Sequence, residues 1–317
     1  MIYLVLIVLF FLLMFGYFRV ADKYNIVDKP NERSSHSSIT IRGGGIIFIV
    51  AALVALVWHF NEYWLPVAGI IMVGIISFLD DIFTLSNRIR IVFHMMAVTC
   101  MFVYLSVFSN FPVYGVICLY ILAIGIINAY NFMDGINGIT GIYSLVVLLS
   151  LQMINIQVMP FIQPDMVWLP ILACIVFLFF NFRTKAICFA GDVGSVTIAF
   201  WIITLLLDLI LTSGNWIYIL FLAVYGVDAI LTIVHRLLLK QNIFKAHRSH
   251  FYQILANDRK VSHLVISTAY GVMQMAINLL VIYSNWNATL TFVVICAPLT
   301  VIYISLKNKL MIKTVAL

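Results

Sequence analysis

Polar side chains are scarce in this chain, where 64% of the residues are hydrophobic and 9% are charged. They collect in a few short stretches, and the central one, residues 128–141, reads N-A-Y-N-F-M-D-G-I-N-G-I-T-G. Asn128, Asn131, Asp134 and Asn137 recur there every third residue, so one helical turn or a tight loop gathers them into a patch. Gly135, Gly138 and Gly141 let the backbone bend closely around a ligand. The bland alternative is a polar hinge between helices, yet a carboxylate at or within a membrane more often marks function. Asp80 and Asp81 close an apolar run, S-F-L-D-D. Adjacent carboxylates repel each other and need a cation, Arg or Lys beside them. At a helix C-terminus the dipole also disfavours them, so they are retained for a partner or offset by Arg88 and Arg90. Hard oxygen donors of this kind suit Mg²⁺, which keeps water and phosphate oxygens in its shell.

Three further stretches carry compatible chemistry. Asp192 lies in F-A-G-D-V-G-S, which opens a helix, so its free N–H groups can face an anion or form an ordinary turn and cap. His247, Arg248 and His250 in A-H-R-S-H can take a diphosphate through charge and hydrogen bonds, whereas a zinc site would lack further ligands nearby. Arg33-Ser34-Ser35-His36-Ser37-Ser38, followed by Arg42 and Gly43-Gly44-Gly45, suits phosphate contact; the glycines equally suit close helix packing.

The elements that must position these residues are apolar helices. Eleven apolar segments run at about Ile2–Phe18, Gly43–Phe60, Leu65–Leu79, Ile91–Phe108, Phe111–Ile127, Ile139–Ile154, Val167–Phe180, Val196–Leu211, Trp216–Val234, Leu264–Ser284 and Ala288–Leu306. Most approach the ~17–25 residues of a spanning helix. The first has no basic leader and no small-residue cleavage site, so it reads as a permanent helix. With eleven spans, all eighteen Lys and Arg residues fall on one side, while connections such as Asn61–Trp64 and Asn155–Met166 carry none. The positive-inside rule makes that side cytoplasmic, with the N-terminus outside and the C-terminus inside. Every motif above falls on the same side.

The expected fold is therefore an all-α polytopic membrane bundle of about eleven helices, forming one domain over residues 1–317. A mean hydropathy of +1.11 excludes an ordinary soluble domain. The net charge of +6 is sorted by topology, so it points to anionic lipid and substrate and not to nucleic acid. Five cysteines, Cys100, Cys118, Cys174, Cys188 and Cys296, show neither zinc nor disulfide spacing.

At this point the residues resemble a family. S-F-L-D-D, N-A-Y-N-F-M-D-G-I-N-G, F-A-G-D-V-G-S and A-H-R-S-H, with the R-G-G-G entry to the second helix, stand in family order over about residues 20–260. They look like the polyprenyl-phosphate N-acetylhexosamine-1-phosphate transferases, the family of phospho-MurNAc-pentapeptide translocase and the GlcNAc-1-phosphate transferases. The resemblance implies transfer of a sugar-1-phosphate from a UDP-sugar to undecaprenyl phosphate, with release of UMP. It also implies Mg²⁺ (Mn²⁺ as an alternative), the bacterial inner membrane, and a site on the cytoplasmic face serving cell-envelope glycan synthesis. A homodimer stays open. By position, Asp80 and Asp81 match the family's aspartate pair, which handles the lipid phosphate or its proton, and Asn131 and Asp192 match Mg²⁺ positions. Phe189 matches an aromatic near the uracil, and His247, Arg248 and His250 match the loop that meets the diphosphate. Asp134 joins the catalytic carboxylates, with Arg42, Asn128 and Asn137 as substrate contacts. Two positions depart from many bacterial members, Asn137 and Thr84, where an acidic residue is common. No role needing charge can apply there.

Catalysis of this step is mainly positioning and charge neutralisation. Asp81 is the provisional proton acceptor or lipid-phosphate orienter, with a covalent aspartyl route as the alternative. The rival class is a transporter or flippase for a lipid- or nucleotide-linked sugar, for which Asp228 and Asp208 would be the intramembrane carboxylates. A plain membrane scaffold leaves the polar motifs on four separate loops unexplained.

Overall fold

The computed structural model describes residues 1–28, 39–242 and 248–315. Its helices run in the order α1 Ile2–Lys23, α2 Ile46–Trp58, α3 Phe60–Phe83, α4 Asn87–Tyr104, α5 Val107–Asn110, α6 Val113–Met133, α7 Ile139–Gln157, α8 Asp165–Asn181, α9 Gly191–Ser213, α10 Ala223–Leu238, α11 Phe251–Gln253, α12 His263–Tyr283 and α13 Ala288–Val315. A 3₁₀ turn, Trp216–Leu222, leads into α10, and a π turn, Ile254–Asp258, follows α11. Two short strands, β1 Val27–Asp28 and β2 Thr40–Ile41, pair antiparallel between α1 and α2.

Each of the eleven apolar segments falls on helix, and among the described residues eight stretches are long and apolar enough to cross a membrane. The helices α2 and α8 are apolar but shorter, and α4 opens with Arg88 and Arg90. This is an all-α polytopic membrane bundle. One boundary differs from the sequence reading. Asn61–Trp64, expected as an outer connection, is the first turn of α3, because the chain reverses at His59 alone. The polar Asn61 and Glu62 satisfy their backbone inside the helix, so polarity there marks a helix start and not a loop.

The bundle is organised around α9, buried continuously from Val193 to Leu209. Such burial requires an apolar side chain in nearly every direction, which is why this segment shows no polar stripe. Its flanks are covered by α3 and α6, while α2 packs on α3 and α8. The N-termini of α2 and α9 cross closely: a Cβ on Gly45 would collide with the backbone of Gly194. The N–H groups of Gly44 and Gly45 donate to the carbonyls of Phe189 (2.7 Å) and Ala190 (3.0 Å), and Phe189 donates to Ile41 (2.8 Å). The R-G-G-G and F-A-G-D stretches are thereby sewn together through the main chain.

On the other side, α12 lies along α7 and faces the start of α10. The shift from 3₁₀ to α winding leaves backbone groups needing partners, and a bilayer supplies none. Gln274 of α12 fills the gap: its Oε1 accepts from the N–H of Val224 (3.0 Å) and its Nε2 donates to the Leu220 carbonyl (2.9 Å). The Tyr143 hydroxyl donates to the same Oε1 (2.6 Å), and the ladder continues through Asn278 to Ser150. Every member of this ladder is buried.

Candidate active site

Asp80 and Asp81 end α3; Asp80 holds the chain leaving that helix, whereas Asp81 serves another. Asp81 has a fully buried side chain whose Oδ1 accepts from Arg42 Nε at 2.8 Å. It also accepts the N–H of Asp192 (Oδ1, 3.0 Å) and the N–H of Val193 (Oδ2, 3.1 Å). Asp81 thus caps α9 from a neighbouring helix, satisfying donors that a helix start leaves free and placing charge where the dipole favours it. Gly191 has φ +71°, and a Cβ there would strike the Asp81 carboxylate, so only glycine fits before Asp192. Asp80 accepts the N–H of Leu85 (2.6 Å) and pairs with Arg90 at 2.9 Å.

Arg90 reaches both carboxylates, since its other nitrogen lies 3.6 Å from Asp192 Oδ2. A planar guanidinium can span two acceptors in this way; an ammonium cannot hold the same fork. Exposure separates the roles: Arg42 is 37% exposed and Asp192 23%, against 8% for Asp80 and 0% for Asp81. The open groups are two arginines, Arg42 and Arg90 (27%), and one carboxylate, and the aspartate pair lies behind them.

The central motif approaches from α6. Asp134 follows the last turn, its N–H donating to the Asn131 carbonyl (3.2 Å) and its Oδ1 accepting the Thr140 hydroxyl (2.7 Å). Burial pushes the Asp134 carboxyl up to about 7, the Thr140 hydrogen bond opposes this, and the charges of Asp192 and Asp81 add to it. Burial alone would lower the Arg42 guanidinium, but Asp81, followed by Asp192, Asp28 and Asp80, holds it above its ordinary value. Residues far apart in sequence therefore form one electrostatic unit at one end of the bundle.

Several of the predicted contacts have partners within the protein. Asn128 donates to the Ile124 carbonyl of its own helix (2.9 Å). Asn137, expected as a substrate contact, is 5% exposed and donates to the carbonyls of Arg183 (2.7 Å) and Thr184 (3.4 Å). Its role here is to hold the chain entering the F-A-G-D stretch, which needs an amide and no charge. His250, expected at the diphosphate, is 2% exposed and lies 3.4 Å from Asp228 Oδ1, with Phe132 and Tyr252 beside its ring. It holds the loop from within. Phe189 is half-buried and anchored through its main chain, Arg248 is half-buried, and His247 with Arg33–Ser38 lies outside the described residues.

Asp228 is the carboxylate that a transporter reading would have needed. It sits in a closed set of hydrogen bonds and does not line a path through the bundle: Phe251 N–H (3.0 Å), Thr232 hydroxyl (3.3 Å) and Tyr270 hydroxyl (2.8 Å) all donate to it. Asp208 likewise accepts from Tyr104 (3.2 Å) and Thr212 (3.4 Å). Arg90 entered the sequence reading only as an offset for the aspartates. Its signal was there, two arginines in the first turns of a helix, where the dipole disfavours cations.

For a metal, the donor set is the test. No three acidic, His or Cys side chains converge as a metal cluster among the described residues. What is present are hard oxygens, and one amide that the protein leaves loose: the buried Asn131 Nδ2 has no hydrogen-bond partner. An amide so placed is free to turn its oxygen toward a ligand. That fits a largely hydrated Mg²⁺ with few protein ligands and does not fit an all-protein cage.

Residues 63–210 match glycosyl transferase family 4. Over 296 residues the chain is 27% identical to the undecaprenyl-phosphate alpha-N-acetylglucosaminyl 1-phosphate transferase of Thermotoga maritima, covering 91% of this chain and 92% of that protein. The Escherichia coli protein of the same name is 27% identical over 309 residues, covering 84% and 80%. A phospho-N-acetylmuramoyl-pentapeptide-transferase of Dictyoglomus turgidum is 27% identical over 201 residues, covering 58% and 64%.

Proposed function

With its resemblance to the polyprenyl-phosphate N-acetylhexosamine-1-phosphate transferases shown, we propose that this chain moves an N-acetylhexosamine-1-phosphate from a UDP-sugar to undecaprenyl phosphate. The reaction takes place at the cytoplasmic face of the bacterial inner membrane and starts a lipid-linked glycan. The observation that carries the reading is the meeting of Arg42, Asp80, Asp81, Arg90, Asp134 and Asp192, drawn from separate motifs, at one end of a membrane bundle.

A phosphate oxygen of the lipid attacks the β-phosphorus of the UDP-sugar, the bond from that phosphorus to the bridging oxygen breaks, and UMP leaves with that oxygen. Both reactants are anions, so the protein must gather them and offset their charge. Arg42, half open and already beside Asp81, is placed to hold a phosphate from the side of α2. Arg90 fixes Asp80 and Asp192 relative to one another. Asn131 and Asp192 are the residues to hold Mg²⁺, whose charge, when bound, offsets that of the diphosphate. Asp81 acts by holding the start of α9, and so Asp192, in place. With Arg42 and two N–H groups on its two oxygens it is poorly placed to accept a proton, and the lipid monoester can attack as its dianion.

Purified protein given undecaprenyl phosphate, Mg²⁺ and a panel of UDP-sugars should release UMP with one N-acetylated sugar. Release with none, together with uptake of a UDP-sugar into proteoliposomes, would replace this reading by the transporter. For orientation, a cysteine at position 185 should be shielded from an impermeant thiol reagent in intact cells, and one at position 287 should react, in a background without native cysteines. The reverse pattern would place the site outside.

A further inference from the structure

Lys307 has no part in the site above, yet it is 3% exposed. It lies on α13, whose outer faces are covered with exposed Leu, Val, Ile and Phe side chains. A lysine near the end of such a helix ordinarily snorkels to the headgroups. Lys307 turns inward instead. Its Nζ donates to the Tyr303 hydroxyl (2.7 Å) and to Thr232 Oγ1 (3.4 Å), and the Tyr303 and Thr232 hydroxyls share a hydrogen bond of 2.6 Å.

Thr232 belongs to α10 and donates in turn to Asp228 Oδ1 (3.3 Å). Asp228 receives the N–H of Phe251, lies 3.4 Å from His250 Nδ1, and accepts Tyr270 of α12 on its other oxygen. Thr232 also reaches the Ser249 carbonyl (3.5 Å). A buried ammonium and a buried carboxylate are each costly alone. Here they are joined through two hydroxyls, and the loop carrying Arg248 hangs on the carboxylate end.

Resting on the transferase reading, we propose that Lys307 is a positioning residue: through Tyr303, Thr232 and Asp228 it fixes the Arg248–Phe251 loop over the diphosphate end of the nucleotide-sugar. The C-terminal helix thereby belongs to the substrate site without touching substrate. Lys307→Met keeps the stem's length and removes the charge and donors.

The test combines kinetics with hydrogen–deuterium exchange on full-length protein in detergent. Lys307→Met should raise KM for the UDP-sugar about tenfold, the scale of one partner lost from a buried network. Its kcat and its KM for undecaprenyl phosphate should stay at wild-type values. Exchange should rise in residues 248–258 and not in α3 or α9. Unchanged KM with unchanged exchange would overturn the proposal. So would a uniform fall in both substrates' parameters with a global loss of protection, which a merely structural lysine would give. If Lys307→Met fails to fold, Tyr303→Phe removes only the linking hydroxyl and should shift the same two readouts in the same direction by less; no shift overturns it. If the wild type releases no UMP from any UDP-sugar, the transferase reading fails, and the exchange arm still decides whether Lys307 sets the loop.

Discussion

Two clusters in this protein each set aspartate against cations, and they are built differently. Around Asp81 the partners are Arg42 and the N–H groups that open α9, Arg90 joins the neighbouring Asp80 to Asp192, and the outer members, Arg42, Arg90 and Asp192, are partly open to solvent. Around Asp228 the partners are hydroxyls, one imidazole, one N–H and, two hydroxyls away, Lys307, with every one of these side chains buried. The first cluster leaves charge at its edge for something to bind. The second closes on itself. Arginines and a helix start can exchange a carboxylate for a phosphate without being dismantled; a ring of filled hydroxyls cannot.

The largest break in this contrast should come from Asp192→Asn. It removes the exposed carboxylate and little else, so turnover should fall about 10³-fold, in the range of lost transition-state electrostatics. Stability should move by less than about 1 kcal/mol, as for an open pair. A variant with near wild-type turnover, or one that is inactive because it unfolds, would put Asp192 outside the chemistry.

Asp81→Asn sharpens the contrast further. If Asp81 caps α9 and does not take a proton, its loss should lower turnover about 10²-fold, the scale of displaced catalytic groups. That loss should be the same at every pH from about 6 to 9, a window spanning the monoester's second pKa near ~6. Recovery toward high pH would restore the proton-acceptor role. Arg90→Lys should have a smaller effect, about tenfold on kcat, because one ammonium cannot hold Asp80 and Asp192 together. Equal activity would mean that the Arg90 fork is incidental.

The smallest effect concerns Asp134 in metal-free protein. Its carboxyl is pushed up to about 7, mainly by burial, from an ordinary 3.8. Between those values the unfolded chain has already lost the proton that the folded chain keeps. Stability therefore falls as pH rises through that window and levels off above about 7. The thermal midpoint in detergent and EDTA should drop by a few degrees from pH 5 to pH 8, and Asp134→Asn should flatten the slope. An unchanged slope in the variant would assign the pH dependence to other groups.

The helices were legible because a spanning segment must be apolar throughout, and each apolar run found its helix. The Asp80-Asp81 and Gly191-Asp192 motifs were legible because carboxylates and glycines stand out against such a background. What they face was not legible. That Asp81 caps a helix beginning more than a hundred residues later depends on the crossing of Gly45 and Gly194, which no local pattern announces. Asn137 read as a substrate contact because polarity in an apolar chain invites that reading, whereas its partners are two carbonyls beyond the next two helices. The sequence could offer Asp228 to a transporter for the same reason: a lone intramembrane carboxylate and a fully partnered one have the same sequence.

The ladder from Tyr143 through Gln274 and Asn278 to Ser150 also bears on how the protein is made. Ribosomes deliver α7 and α10 to the membrane before α12 exists, so the hydroxyl of Tyr143 and the junction at Leu220–Val224 wait for a partner not yet synthesised. When α12 emerges it carries two amides that hydrocarbon rejects, and the unfinished bundle is what receives them. The insertion of α12 should therefore depend on its predecessors. In a membrane-insertion assay, Gln274→Leu should let isolated α12 enter more readily, and the full chain should lose the agreement between its helices that the wild-type residue enforces. No gain in insertion of the isolated helix would show that the amide is no barrier to its entry.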